Sequence, residues 1–117
     1  LKSWVRIQNG SMLEMSVDVP DGKIVGSGAR CLDTQDNEII FAEPDLQPGP
    51  AQAPLSAGEN YSTRVRLSFA DACTATIRAR IIKPDGSVHG TPYSYPVTAP
   101  AGAVRRATIL CYTVEGG

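Results

Sequence analysis

The stretch YSTRVRLSFADACTATIRARIIK, residues 61–83, decides the fold class. Tyr61, Val65, Leu67, Phe69, Cys73, Ala75, Ile77, Ala79 and Ile81 fall on odd positions, whereas Arg64, Arg66, Ser68, Thr74, Thr76, Arg78 and Arg80 fall on even ones. Successive side chains of a strand point to opposite faces, so the odd set meets a core and the even set meets water. The short break Ala70-Asp71-Ala72 divides the run into two strands.

Outward from this stretch the same reading gives eight strands, at 3–8, 11–19, 23–32, 38–42, 61–69, 73–82, 87–98 and 105–114. No window of helical length repeats its apolar residues every 3.6 positions, and β-branched and aromatic residues dominate the candidate strands. The expected fold is an all-β, antiparallel β-sandwich of seven to eight strands, immunoglobulin- or fibronectin-like in general architecture. Architecture of this kind carries no activity with it.

Two turns are signalled strongly. Val19-Pro20-Asp21-Gly22-Lys23 and Lys83-Pro84-Asp85-Gly86-Ser87 each put Pro where φ near −65° is wanted, and Gly where φ must be positive. Pairing Lys83 with Ser87 sets Ile81 opposite His89, Ala79 opposite Thr91, Ile77 opposite Tyr93, Ala75 opposite Tyr95 and Cys73 opposite Val97. Pro92 and Pro96 make this last strand an edge, since proline cannot donate to a ladder. The first turn, read the same way as a hairpin, sends Leu13, Met15, Val17, Val25, Ala29 and Cys31 inward. The segments PDGKIVGS (20–27) and PDGSVHGT (84–91) are similar. Turn chemistry accounts for the shared residues without a duplicated half-domain.

The periodicity stops between about 43 and 60, a Pro- and Ala-rich connection too long for a hairpin. The 117 residues otherwise read as one domain, long enough to bury a core without a metal or disulfide. A formal charge of −1 argues against non-specific nucleic-acid binding, which needs many phosphates neutralised. No apolar run approaches the ~20 residues of a membrane span. The chain begins at Leu1 without a leader-like segment, which suggests a removed leader or a piece of a longer protein. Three cysteines permit one internal bridge, and Cys73 with Cys111 is the preferred pair. Asn9 and Asn60 head glycosylation triplets. These features together suggest an exported, secreted or cell-surface setting.

Catalytic chemistry has little to stand on. His89 is the only histidine, and no local motif brings a nucleophile and an orienting group to it. No cofactor is called for. The oxygen-rich run containing Asp33, Asp36 and Glu38 is a weak calcium alternative that lacks the spacing and central Gly of an EF-hand loop. Trp4 alternates out of phase with Val5 and Ile7 and is a candidate ligand contact, whereas Tyr93 and Tyr95 belong inside.

The arginines are the most informative polar feature. If 61–69 and 73–82 form a hairpin, Arg64 lies opposite Arg78, flanked by Arg66 and Arg80. Like charges so placed ask for a counter-charge from a ligand, a partner or an acidic segment. If the 70–72 link crosses between sheets, the two arginine pairs part. From Cys31 to Thr63 there are six acids and no base, and from Arg64 to Arg106 seven bases and two acids. The reading is a non-catalytic binding module, contacting a protein or glycan partner through an exposed sheet face or loops, with Arg64, Arg66, Arg78, Arg80 and Trp4 as contacts. The alternatives are a self-assembling structural subunit, hence a homo-oligomer, and a small hydrolase inhibitor that inserts the 44–60 loop.

Overall fold

The computed structural model describes residues 4–32, 35, 37–42, 51–54 and 60–114. Nine strands form among them: β1 (Trp4–Ile7), β2 (Met12–Asp18), β3 (Val25–Leu32), β4 (Glu38–Ala42), β5 (Ala51–Pro54), β6 (Asn60–Phe69), β7 (Cys73–Ile82), β8 (Tyr93–Ala99) and β9 (Val104–Val114). They build a five-stranded sheet, β1-β9-β6-β3-β4, and a four-stranded sheet, β5-β2-β7-β8. Neighbours are antiparallel except β1 and β9, and no helix occurs among the described residues. β4 meets β5 at one rim, and the edge strand β8 meets β9 on the other side, so the two sheets face each other as in a sandwich.

The alternation in 61–83 holds. Val65, Leu67, Phe69, Ala75, Ile77, Ala79 and Ile81 are buried, whereas Arg64, Arg66, Arg78 and Arg80 are exposed. Leu13, Met15, Val17, Val25, Ala29 and Ala99 complete one core cluster. Burying a side chain the size of Leu13, Ile77 or Phe69 contributes roughly 1.5–3 kcal/mol, which makes this interdigitated layer the main source of stability.

The crossing of strands between sheets departs from the hairpin expectation twice. The turn at Pro20–Lys23 closes as predicted, with Lys23 N donating to Pro20 O at 3.1 Å and Gly22 at φ 76°. It nevertheless carries the chain from β2 in one sheet to β3 in the other. The inward set is unaffected for Leu13, Met15, Val17, Val25 and Ala29; the Cys31 side chain lies outside the described residues. Likewise the 70–72 link crosses between sheets instead of folding β7 back on β6. Its backbone is fastened at the end of the sandwich. Ala70 N donates to Ile24 O at 2.9 Å, Phe69 N to Ala103 O at 2.8 Å, and Ile24 N to Asp71 Oδ2 at 2.8 Å.

The hairpin at 83–87 forms with the expected tip. Lys83 N donates to Ser87 O at 2.7 Å, Gly86 sits at φ 92°, and Asp85 Oδ1 accepts from the Ser87 amide and hydroxyl. Those two bonds hold the Asp85 carboxyl below its ordinary value of 3.8. Ile82 still faces Val88, but beyond Gly90, at φ 65°, the register slips by two residues. Ala79 therefore faces Tyr93, Ile77 faces Tyr95, Ala75 faces Val97, and Cys73 faces Ala99. A slip of two preserves which face each residue occupies, so the core is the one expected. β8 does end its sheet as an edge strand.

Two further expectations change. The aperiodic 43–60 connection contains β5, which pairs with β2 from Met12↔Pro54 to Met15↔Ala51; most of its remainder lies outside the described residues. The Cys73–Cys111 bridge does not form, and Cys73 is a free thiol. Cys111 pairs with Ser62, seven residues (69 − 62) before the end of β6 at which the chain crosses to Cys73. That is about 24 Å along a strand, whereas a disulfide needs Cα atoms within roughly 7 Å.

Candidate functional site

The outer face of the five-stranded sheet gathers four arginines. The alternation of β6 turns Arg64 and Arg66 outward, between β3 and β9. Register then supplies their neighbours. One row across the sheet reads Gly28, Arg66, Arg106, and the next reads Arg30, Arg64, Thr108. Rows lie about 7 Å apart along a strand and columns about 4.8 Å apart across the sheet. The four guanidinium-bearing positions thus run obliquely over three strands, and all four residues are exposed.

A β-bulge places the fourth arginine. Thr63 pairs with Leu110, but Arg64 pairs with Thr108, so position 109 is the extra residue on β9. Were position 109 taken into the ladder, regular pairing would set Leu67 opposite Arg106 and turn that arginine toward the core. With 109 left out, Ala107 faces buried Val65 and Arg106 stands beside Arg66. A bulge re-aims side chains in this way by shifting the pleat by one residue.

The six positions Gly28, Arg30, Arg64, Arg66, Arg106 and Thr108 line an open depression of about 580 Å³. Every charged residue among its described lining is an arginine. Guanidinium groups offer paired N–H donors that match carboxylate, sulfate and phosphate oxygens bidentately.

Arg78 and Arg80 lie elsewhere. They occupy the outer face of the four-stranded sheet, on β7, where β2 provides acids across the ladder. Arg80 Nε donates to Glu14 Oε1 at 2.7 Å, and Arg78 Nε donates to Asp18 Oδ2. The side chains of Arg78 and Asp18 are 55% and 60% exposed, so that pair contributes at most about 1 kcal/mol. Acid and base are matched on this surface. The four expected arginine contacts therefore do not form one patch: Arg64 and Arg66 join Arg30 and Arg106, a grouping that local pattern alone does not reveal.

Other candidates are placed as follows. Trp4 sits in β1 in register with Cys111, and its side chain lies outside the described residues. Tyr93 and Tyr95 depart from the inward placement expected of them: Tyr95 is 43% exposed and Tyr93 only partly buried. β8 is the rim of its sheet, so their rings overhang the core and stack on each other with centroids 6.2 Å apart. Burial, and then the neighbouring Tyr95, raise the Tyr93 hydroxyl above its ordinary value of 10.0. His89 donates its amide to Ile81 O at 2.8 Å and lines a hollow with Arg80, Thr91 and Tyr93. Asp33 and Asp36 fall outside the described residues, as does the Glu38 side chain. Among the described residues no three His, Cys, Asp or Glu gather as a metal site, and no helix is long and apolar enough to cross a membrane.

Comparison with family models, with curated proteins and with solved structures returns no match for this chain.

Proposed function

We propose that this chain is a non-catalytic recognition module, and that it holds an anionic partner on the outer face of its five-stranded sheet. Arg30, Arg64, Arg66 and Arg106 are the contacts on this reading. The observation that carries it is their convergence on one open depression whose described charged lining is wholly arginine. The opposite sheet, with Arg78 and Arg80 set against Asp18 and Glu14, is the solvated back of the module. An immunoglobulin- or fibronectin-like general layout suits such a role, because its sheet faces are rigid and broad. The likeness is of layers only, since β7 and β8 intervene between the adjacent strands β6 and β9.

The test is binding of a heparin-derived oligosaccharide and of poly-L-glutamate at two ionic strengths, about 0.05 and 0.2 M, where screening differs strongly. Binding should weaken with salt, vanish in Arg64→Glu/Arg66→Glu, and persist in Arg78→Ala/Arg80→Ala. Equal losses in both double variants, or no binding of either probe, would remove the reading.

A further inference from the structure

We infer that the open edge of β9 at residues 104–108 is a docking site for an extended acidic peptide. The peptide adds to the sheet as an antiparallel strand, with carboxylates beside Arg105 and Arg106 and an apolar side chain beside Ala107. This goes beyond the reading above. It shares only Arg106 with the arginine depression, and either can fail without the other.

The main chain of β9 points outward here. β1 pairs with β9 only at 111–114, so among the described residues 104–108 has a strand on one side alone, β6. Phe69 N donates to Ala103 O at 2.8 Å and Ala70 N to Ile24 O at 2.9 Å, so odd positions of β6 bond toward β9 and even ones toward β3. Opposed residues of an antiparallel ladder alternate between pairs that exchange bonds and pairs whose groups turn away. Leu67 with Arg105 and Val65 with Ala107 are then the bonded pairs. Val104, Arg106 and Thr108 turn their N–H and C=O groups to the open side. Consistent with this, Val104 O accepts from the Arg105 guanidinium at 3.2 Å, not from a strand. A row of outward groups over about 14 Å is a template for another strand.

Beside this edge lies space for side chains. A crevice of about 90 Å³ runs between β9 and the edge strand β8, lined by Val65, Leu67, Ile77, Tyr95, Val97 and Ala107 together with Arg105 and Arg106. β8 carries Pro96, which has no N–H to offer an incoming strand. A strand added to β9 would instead send its inward side chains over the crevice, where Tyr95 is now 43% exposed.

Charge selects the peptide. Arg105 lies opposite buried Leu67, hence on the core-side face of β9, yet it is exposed. A charge pointing inward at a sheet edge disfavours an apolar strand, because covering it unpaired is costly. A carboxylate directly opposite reverses that preference. Arg106, on the outer face, favours a second carboxylate at the next position. No acid stands among the described lining of the crevice. As the incoming amide takes the Val104 carbonyl, the Arg105 guanidinium is released to the carboxylate.

The experiment titrates the capped peptide Thr-Val-Glu-Glu-Thr into the whole chain, followed by NMR of backbone amides and their hydrogen exchange. Antiparallel addition sets its Val opposite Ala107 and its two Glu opposite Arg106 and Arg105. Exchange at Val104, Arg106 and Thr108 should slow, whereas Arg105 and Ala107, already bonded to β6, should change little. The same peptide N-methylated at its central Glu, and a Lys-Lys counterpart, should each bind at least about tenfold more weakly, one decade in Kd. Arg105→Glu, its folding checked by circular dichroism, should reverse the preference toward Lys-Lys. Arg64→Ala, in the depression, should move the Kd by less than about threefold at about 0.15 M salt. No binding, or equal binding of the N-methylated peptide, would overturn strand addition. Equal binding of Glu-Glu and Lys-Lys would overturn the acidic assignment. Amide shifts centred on 28–30 and 64–66 instead of 104–108 would overturn the edge and move the peptide to the depression. A dimer by light scattering before any peptide is added would overturn the inference in favour of a second copy.

Discussion

Replacing Gly26 by Thr should make this protein more stable, although a central strand is being altered. Gly26 sits within β3, paired with Ser68 of β6, and its φ lies outside the left-handed range. The added Cβ meets Ser68 Cβ at 3.7 Å and Ser68 O at 3.8 Å, both ordinary van der Waals contacts. Removing glycine from a strand recovers about 0.5–1 kcal/mol of unfolded-chain entropy. A β-branched residue on a pleated surface adds some tenths more on a scale spanning ~1 kcal/mol. The net expectation is a gain of about 1 kcal/mol, or roughly 4 °C in Tm for a chain of this size. Gly86→Thr is the internal control. At φ 92°, with nothing within 4 Å of where a Cβ would stand, Gly86 has ample space but a backbone that L residues resist. That substitution should cost about 1–2 kcal/mol. Urea and thermal denaturation followed by far-UV circular dichroism read both. If Gly26→Thr loses as much stability as Gly86→Thr, the backbone argument is wrong.

Two other expectations follow from the core and from the rim of the sandwich. Ile77 is 1% exposed and lies between Val17 and Tyr95 in register, so Ile77→Ala should destabilise by about 2–5 kcal/mol. Arg78→Ala, one residue on and facing water, should cost less than about 1 kcal/mol, and equal costs in urea titrations would refute the assignment of faces. Tyr93 ionises above its ordinary 10.0 because burial and Tyr95 disfavour the phenolate. The folded state then holds its proton longer than the unfolded chain. Its contribution is fully present below about pH 10 and is lost as pH rises from there through the raised value. Tyr93→Phe should flatten that alkaline loss in a pH series of melting curves, and an unchanged slope would assign the loss to other groups.

Local chemistry in the sequence foretells local structure well. The Pro-Asp-Gly turns close as expected, because their hydrogen bonds join residues close in sequence and depend on local backbone angles that Pro and Gly favour. The odd and even faces of 61–83 are correct because alternation, too, is a property of neighbours. Pairing partners are harder. A hairpin and a crossing use the same turn at Pro20–Lys23. What decides between them is β2 matching β7, where Leu13 meets Ile81 and Glu14 meets Arg80, 66 residues on. β5 escapes a reading of the sequence because Ala51-Gln52-Ala53-Pro54 has no strand signature, and only the edge of β2 makes it one. The arginine face is half legible. Arg64 and Arg66 declare themselves by alternation, and Arg30 follows the buried Ala29 in the same manner. Arg106 joins them only through the pairing of β9 with β6, whose register shift between Thr63 and Arg64 decides which face of β9 meets the core.

The bulge at position 109 also bears on how this surface can change over time, because it stores one residue of slack in β9. A deletion there would leave the pairing partners as they are: Thr108 would still meet Arg64, Ala107 would still lie under Val65, and Arg106 would keep its place beside Arg66. An added residue in the same stretch has no such reserve. Unless a second bulge took it up, it would rotate one flank of β9 through half a pleat, sending a guanidinium into the interior or an apolar side chain into water. Shortening and lengthening are thus unequal events here, and lineages carrying this fold should drift toward the shorter β9 far more freely than toward the longer one.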